Sequence, residues 1–133
     1  MSILGRRIPA GRVAIVAAVF VLGSGLASVT TRGRAREVTF VAKGMAFYAV
    51  GDEKTANPVI EARPGETLRI VLRNRDRGMT HDFAVPAVDA ATDALQWNEE
   101  DEVTFDVPDE PGTYEYVCRP HLLMMRGTLR VSR

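Results

Sequence analysis

From residue 36 onward the chain alternates apolar and polar side chains with a period of two, broken at short intervals by proline and glycine. In Glu66-Thr67-Leu68-Arg69-Ile70-Val71-Leu72-Arg73, the side chains of Leu68, Ile70 and Leu72 share one face, and Thr67, Arg69 and Arg73 share the other. Val103, Phe105 and Val107 alternate with Thr104 and Asp106 in the same way. A helix cannot gather such a pattern onto one stripe, whereas a half-buried antiparallel strand does so directly. Turn signals separate the runs at Asn57-Pro58, Arg63-Pro64-Gly65-Glu66, Arg77-Gly78 and Glu110-Pro111-Gly112. No segment beyond residue 36 carries a helical period, and only Asp89 to Leu95 is expected to form a short turn. Short strands at regular spacing, joined by Pro/Gly turns, predict an all-β sandwich or barrel. At 133 residues and 46% hydrophobic content, one domain with a modest core is expected.

The first thirty residues do not fit that pattern. Arg6, Arg7 and Arg12 precede an apolar run from Val13 to Leu22, followed by the small residues Gly23 to Ser28. A basic start, a short apolar segment and small residues describe a secretory signal. The apolar character continues to Val29, so a retained membrane anchor through residues 13–29 is the alternative, at the lower limit of about 17–25 residues for a spanning helix. The expected organisation is therefore a signal peptide or membrane anchor over 1–30, a linker over 31–36 and one folded domain over 37–133. Either version places the domain outside the cytoplasm, in a periplasm or an extracellular space. The chain holds 17 basic and 17 acidic residues; without Arg6, Arg7 and Arg12 the balance is 14 to 17, and no basic stripe points to nucleic acid. Arg69, Arg73, Arg75 and Arg77, like Glu99 to Glu102, read as solvated strand faces and turns.

The chemistry concentrates in Cys118-Arg119-Pro120-His121-Leu122-Leu123-Met124-Met125-Arg126-Gly127. This stretch holds the only cysteine, one of the two histidines and two adjacent thioethers. The other histidine lies in the strand-like run Thr80 to Val85, where parity puts His81 on the same face as Phe83 and Val85. In Gly112 to Cys118, parity aligns Cys118 with Tyr114 and Tyr116, so both candidate ligands face inward near strand ends. Gly127 to Val131 reads as the closing strand, with Leu129 and Val131 inward. A lone cysteine in an exported protein has no internal disulfide partner, and a free thiol there is an oxidation liability unless a metal protects it. One thiolate, two imidazoles and a weak thioether form the set that suits copper in an electron-transfer site. Structural zinc sites use four Cys/His ligands and no thioether. A Cys-His nucleophile pair needs an exposed thiolate and an orienting third group, and nothing around Cys118 suggests either.

Residues 38–132 resemble the cupredoxins, the small blue copper proteins related to plastocyanin, amicyanin and azurin. The resemblance is carried by Asn57-Pro58, Pro64-Gly65-Glu66, Asn74 ahead of Thr80-His81, Pro111-Gly112-Thr113-Tyr114, and above all the Cys118–Gly127 loop. It implies a Greek-key β-sandwich binding one copper ion that cycles between Cu(II) and Cu(I). It also implies that His81, Cys118 and His121 are the equatorial ligands and that a methionine is axial. Met124 follows His121 by three residues, as in the amicyanin-like short loop. Met125 completes His-x3-Met-x-Gly-Thr-Leu, as at the end of the azurin-like loop, and is the preferred ligand because the Met-x-Gly step sets where the closing strand begins. Asp82 stands where several relatives carry Asn, a departure that bears on the hydrogen bonding around the site. The function implied is a one-electron carrier and not an enzyme, with redox partners docking near Leu122 and Leu123. Those two leucines capping the end of the sandwich is the competing explanation. The rival function is copper delivery or resistance without an electron-shuttle role. Two histidines leave none for the additional sites of a multicopper oxidase.

Overall fold

The computed structural model describes residues 33–133; the expected signal or anchor over 1–30 and the start of the linker lie outside the described residues. Nine strands follow in order: β1 (Arg36–Lys43), β2 (Ala46–Ala49), β3 (Ile60–Ala62), β4 (Thr67–Asn74), β5 (Ala84–Val85), β6 (Ala90–Ala91), β7 (Glu100–Asp106), β8 (Gly112–Val117) and β9 (Arg126–Val131). They form two sheets, of order β2-β1-β4-β7 and β3-β9-β8-β5-β6. Single 3-10 turns at Pro86–Val88 and Arg119–His121 are the only helical elements among the described residues. No helix there is long and apolar enough to cross a membrane.

The alternation read from the sequence defines the inner faces. Leu68, Ile70 and Leu72 of β4 are fully buried, as are Tyr116 of β8 and Leu129 of β9, with Phe105, Val107 and Val131 close behind. Between the sheets Phe40, Phe47, Phe83 and Tyr116 form one aromatic cluster with centroids 5.1–6.0 Å apart. Such offset and edge-to-face pairs each add about 0.5–1.5 kcal/mol beyond area burial. On the outer face of the four-stranded sheet the charge runs pair across strands. Arg69 bridges Glu37 and Glu102, and Arg73 pairs with Glu100. Exposed pairs of this kind contribute little individually.

Three features differ from the sequence reading. Two neighbouring pairs, β1 with β4 and β3 with β9, are parallel, because alternation dictates which face is buried and carries no information on strand direction. The strand expected from Thr80 shortens to Ala84–Val85, and His81 meets Leu95 only as an isolated bridge. The cause is Thr92: its hydroxyl accepts the Phe83 N–H at 3.0 Å, where a backbone carbonyl would have continued the ladder. The segment Asp89 to Leu95 contains the two-residue strand β6, with only Asp89 in a left-handed, turn-ending conformation.

At the loop's far end, Gly127 faces Tyr116 across the β8–β9 ladder. A Cβ at Gly127 would lie 2.1 Å from Tyr116 Cζ, and that ring is held by its hydroxyl, which donates to the Pro58 carbonyl at 2.5 Å. Gly127→Ala is therefore expected to cost about 1–3 kcal/mol through overpacking. Thermal unfolding measures it; an unchanged midpoint would show that the Tyr116 ring is free to move aside.

Candidate metal centre

One end of the sandwich gathers the chemistry. β8 delivers Cys118 one residue past its end, and the Cys118 N–H donates to the Met125 carbonyl at 2.9 Å, closing the loop at its base. Within that loop the His121 N–H reaches the Cys118 carbonyl at 3.0 Å. The N–H groups of Met124 and Met125 both turn back to the His121 carbonyl, at 3.0 and 2.9 Å. Pro120 pre-sets the backbone for the short 3-10 turn and has no N–H to leave unsatisfied. His81 enters from the other side, clamped by two backbone hydrogen bonds to Leu95 at 2.7 and 3.1 Å.

These contacts bring the side chains of His81, Cys118 and His121 together, with one donor atom from each lying within 4.8 Å of the others. Cys118 Sγ is 3.7 Å from His81 Nδ1 and 3.5 Å from His121 Nδ1. His81 and Cys118 are fully buried, and His121 is half-buried. The two candidate methionines separate sharply: Met125 is 0% exposed and packs in the same core as Cys118, while Met124 is 61% exposed. Leu122 and Leu123 are 51% and 92% exposed, so Leu123 caps nothing. Of the other methionines, Met45 packs partly against the core and Met79 stands half-exposed.

A layer of polar groups behind the donors orients them, and most of it was not visible in the sequence. Asp76 Oδ2 accepts from His81 Nε2 at 2.9 Å. A carboxylate has no proton to give here, so the neutral ring carries its hydrogen on Nε2 and leaves Nδ1 free toward Cys118. Burial opposes the Asp76 charge, yet hydrogen bonds from Gly44, His81 and Met45 outweigh it and hold the carboxyl below its usual range. Asn74, fully buried, donates to the carbonyls of Met79 and Leu95 at 2.7 and 2.9 Å and accepts the Asp76 N–H at 2.8 Å. Asn74 was singled out in the sequence; Asp76, with no neighbouring motif, was not.

Asp82 is buried and paired. Its carboxylate accepts the Arg119 N–H at 2.7 Å and Arg119 Nε at 2.6 Å, and the guanidinium also reaches the Thr92 carbonyl at 3.4 Å. The residue after one candidate ligand is thus tied to the residue after another. Around Cys118, burial is the chief influence and pushes the thiol up. The Asp82 charge adds to it, while the backbone N–H groups of Asp82 and His121 pull down. A thiol held protonated at neutral pH must release its proton when a cation binds. The donor set, two imidazole nitrogens and one sulfur with a buried thioether in the same core, fits copper and has the wrong composition for magnesium or calcium.

The comparisons with known proteins agree with this geometry. Residues 57–132, more than half of the chain, match the family described as copper binding proteins, plastocyanin/azurin family. No curated protein matches the chain in sequence. Among solved structures, auracyanin A, a blue copper protein from Chloroflexus aurantiacus, is similar at 24% identity and a TM-score of 0.59, over 74% of this chain and 100% of that one. The McoA multicopper oxidase from Aquifex aeolicus is similar at 18% identity and a TM-score of 0.59, over 73% of this chain but only 26% of its own length. Rusticyanin from Thiobacillus ferrooxidans is similar at 22% identity and a TM-score of 0.54, over 75% of this chain and 79% of that one. At these identities the likeness is one of fold.

Removing the Arg119 side chain leaves a buried carboxylate short of one charged partner, which is expected to cost about 1–3 kcal/mol. The loss in Arg119→Ala should shrink when Asp82 is also changed to Asn. Denaturant unfolding of the two single variants and the double variant measures this coupling, and strictly additive losses would mean the pair does not act as a unit.

Proposed function

Because this chain belongs to the plastocyanin/azurin family of copper-binding proteins, its cofactor is copper, and we propose that it is a one-electron carrier working outside the cytoplasm. The observation that carries the reading is the closed donor cluster of His81, Cys118 and His121, backed by the buried Met125. In this reading His81 and His121 would hold the ion through imidazole nitrogen, and Cys118 and Met125 would hold it through sulfur. Copper bound there supplies one-electron chemistry, alternating between Cu(II) and Cu(I).

The chain's own residues do the rest. The bonds from His81 to Asp76, from Cys118 to Met125 and from Arg119 to Asp82 hold the donors in place, so little protein has to move between the two oxidation states. The surrounding core excludes water, and Phe83 and Leu95 are among the buried side chains of that core. His121 alone of the three reaches toward solvent, beside the exposed Leu122, Leu123 and Met124. That apolar ledge is proposed as the docking surface for redox partners, with the His121 ring as the point where the electron crosses the protein boundary.

Electron carriage is favoured over enzymatic turnover because the four proposed ligands leave no position for substrate. It is favoured over copper delivery because the donors are mostly buried, which hinders release of the ion to an acceptor. The basic start, apolar run and small residues in the sequence of residues 1–30 support the assignment outside the cytoplasm.

The test is the self-exchange rate of the copper-loaded protein, read from nuclear relaxation in mixtures of the two oxidation states. A carrier exchanges rapidly, and Leu123→Lys should slow exchange by about tenfold or more, through like-charge repulsion at the ledge, while leaving the reduction potential unchanged. Slow exchange in the native protein, together with transfer of the ion to a competing chelator, would favour copper delivery instead. The methionine assignment has its own readout. Met125→Leu should raise the reduction potential and Met124→Leu leave it unaltered; the opposite order would assign the ligand role to Met124.

A further inference from the structure

The turn between β1 and β2 lies outside the ligand loop, yet it is wired to the metal centre. Gly44 and Met45 form a two-residue hairpin turn with φ of 58° and 61°, both in the left-handed region. That is the type I′ geometry matched to strand twist; Gly44 adopts it freely, while Met45 pays a conformational cost for it. The turn presents two consecutive N–H groups on the same side, and both point at Asp76: Gly44 donates to Oδ1 at 2.8 Å and Met45 to Oδ2 at 3.3 Å. The third donor to this carboxylate is His81 Nε2, at 2.9 Å. From below, Asn74 Oδ1 accepts the Asp76 N–H and fixes the turn that carries it. Asp76 is therefore anchored independently by the hairpin and by Asn74, and it grips the one imidazole that has no exposure to solvent.

We propose that Asp76 is a positioning residue for the copper ion: held by the hairpin, its carboxylate locks His81 in the tautomer with Nδ1 free toward Cys118 and makes the ring a stronger donor to Cu(II). The proposal rests on the copper-site reading and adds a direction to it. A carboxylate accepting from a ligating imidazole raises the basicity of that ligand, and loss of such a partner typically costs 10–100-fold in metal affinity. A more basic nitrogen favours Cu(II) over the softer Cu(I), so Asp76 lowers the reduction potential relative to a neutral acceptor in its place. The hairpin is what makes this effective, since a carboxylate free to rotate would not hold the ring.

Asp76→Asn tests the idea with little change of shape, because an amide oxygen can still accept from the hairpin or from His81. Asp76→Ala removes the acceptor altogether. In the metal-free protein, nitrogen-15 chemical shifts of the His81 ring, taken at a pH where the imidazole is neutral, should show a single Nε2–H tautomer in the native chain. The Asn variant should show a mixture. In the copper-loaded protein, the Asn variant should keep its thiolate-to-copper absorption while losing about tenfold of its preference for Cu(II) over Cu(I), an upward shift of about 59 mV. A native ring in the other tautomer, or a variant with native tautomer and native potential, overturns the proposal. A loss of thermal stability alone, with both other readouts unmoved, also overturns it, since it would make Asp76 an anchor for the hairpin and nothing more. The tautomer measurement needs no metal, so it judges Asp76 even if the native protein fails to develop the copper band; that failure would count against the copper-site reading itself.

Discussion

Two imidazoles and a thiol brought within 4.8 Å of one another at the end of an apolar sandwich form the constraint on which the rest of this structure depends. Buried polar groups must be hydrogen-bonded or they destabilise the fold. Here every buried side-chain nitrogen and oxygen among the described residues has a partner. The partners are specific: Asp76 for His81, Asn74 for the segment that carries Asp76, and Arg119 for Asp82. The faces of His81 and His121 toward Cys118 meet only sulfur, at 3.7 and 3.5 Å. Those contacts are long and weak, and they leave two ring nitrogens and a thiol sulfur directed at one another. A soft cation satisfies all of them at once.

The sandwich supplies what an isolated loop could not. Cys118 and the start of β9 are set by the β8–β9 ladder, whose register runs from Gly112 opposite Val131 to Val117 opposite Arg126. His81, three residues before β5, is set by its bridge to Leu95, four residues after β6. The Asp82–Arg119 pair then ties these two sources of ligand together. Packing in the aromatic cluster beneath, and the absence of a Cβ at Gly127 that lets Tyr116 lie across the ladder, fix the platform on which the loop stands. The same arrangement leaves three consecutive hydrophobic side chains exposed where the loop turns, at Leu122, Leu123 and Met124.

Much of this was legible in the chain because the signals are local. Period-two alternation located the inward faces of β4, β7, β8 and β9; His81 and Cys118 are buried as expected, but Asp82 and Ala84, of opposite parity to His81, are buried too. The convergence of His81, Cys118 and His121 followed from a short loop after one strand and a histidine in another. What was not legible depends on partners distant in sequence. Strand direction in the β1–β4 pair is decided by crossover connections, which leave no mark on alternation. The early end of the strand at His81 comes from one hydroxyl, Thr92, intercepting the Phe83 N–H. Asp76 looks like any turn aspartate until the hairpin at residues 44–45 is brought against it, and Asp82 looked like a departure from pattern until its pairing with Arg119 was seen. The separation of Met125 from Met124 rests on which of two adjacent side chains the turn at His121 sends inward, a matter of one residue of backbone geometry.

The most direct test of the central claim, that this preformed cluster holds copper through Cys118, is the visible absorption spectrum on adding one equivalent of Cu(II) to the native protein and to Cys118→Ala. The account predicts an intense blue or green thiolate-to-copper band in the native protein, absent from the variant. A weak spectrum indifferent to the loss of Cys118 would contradict it.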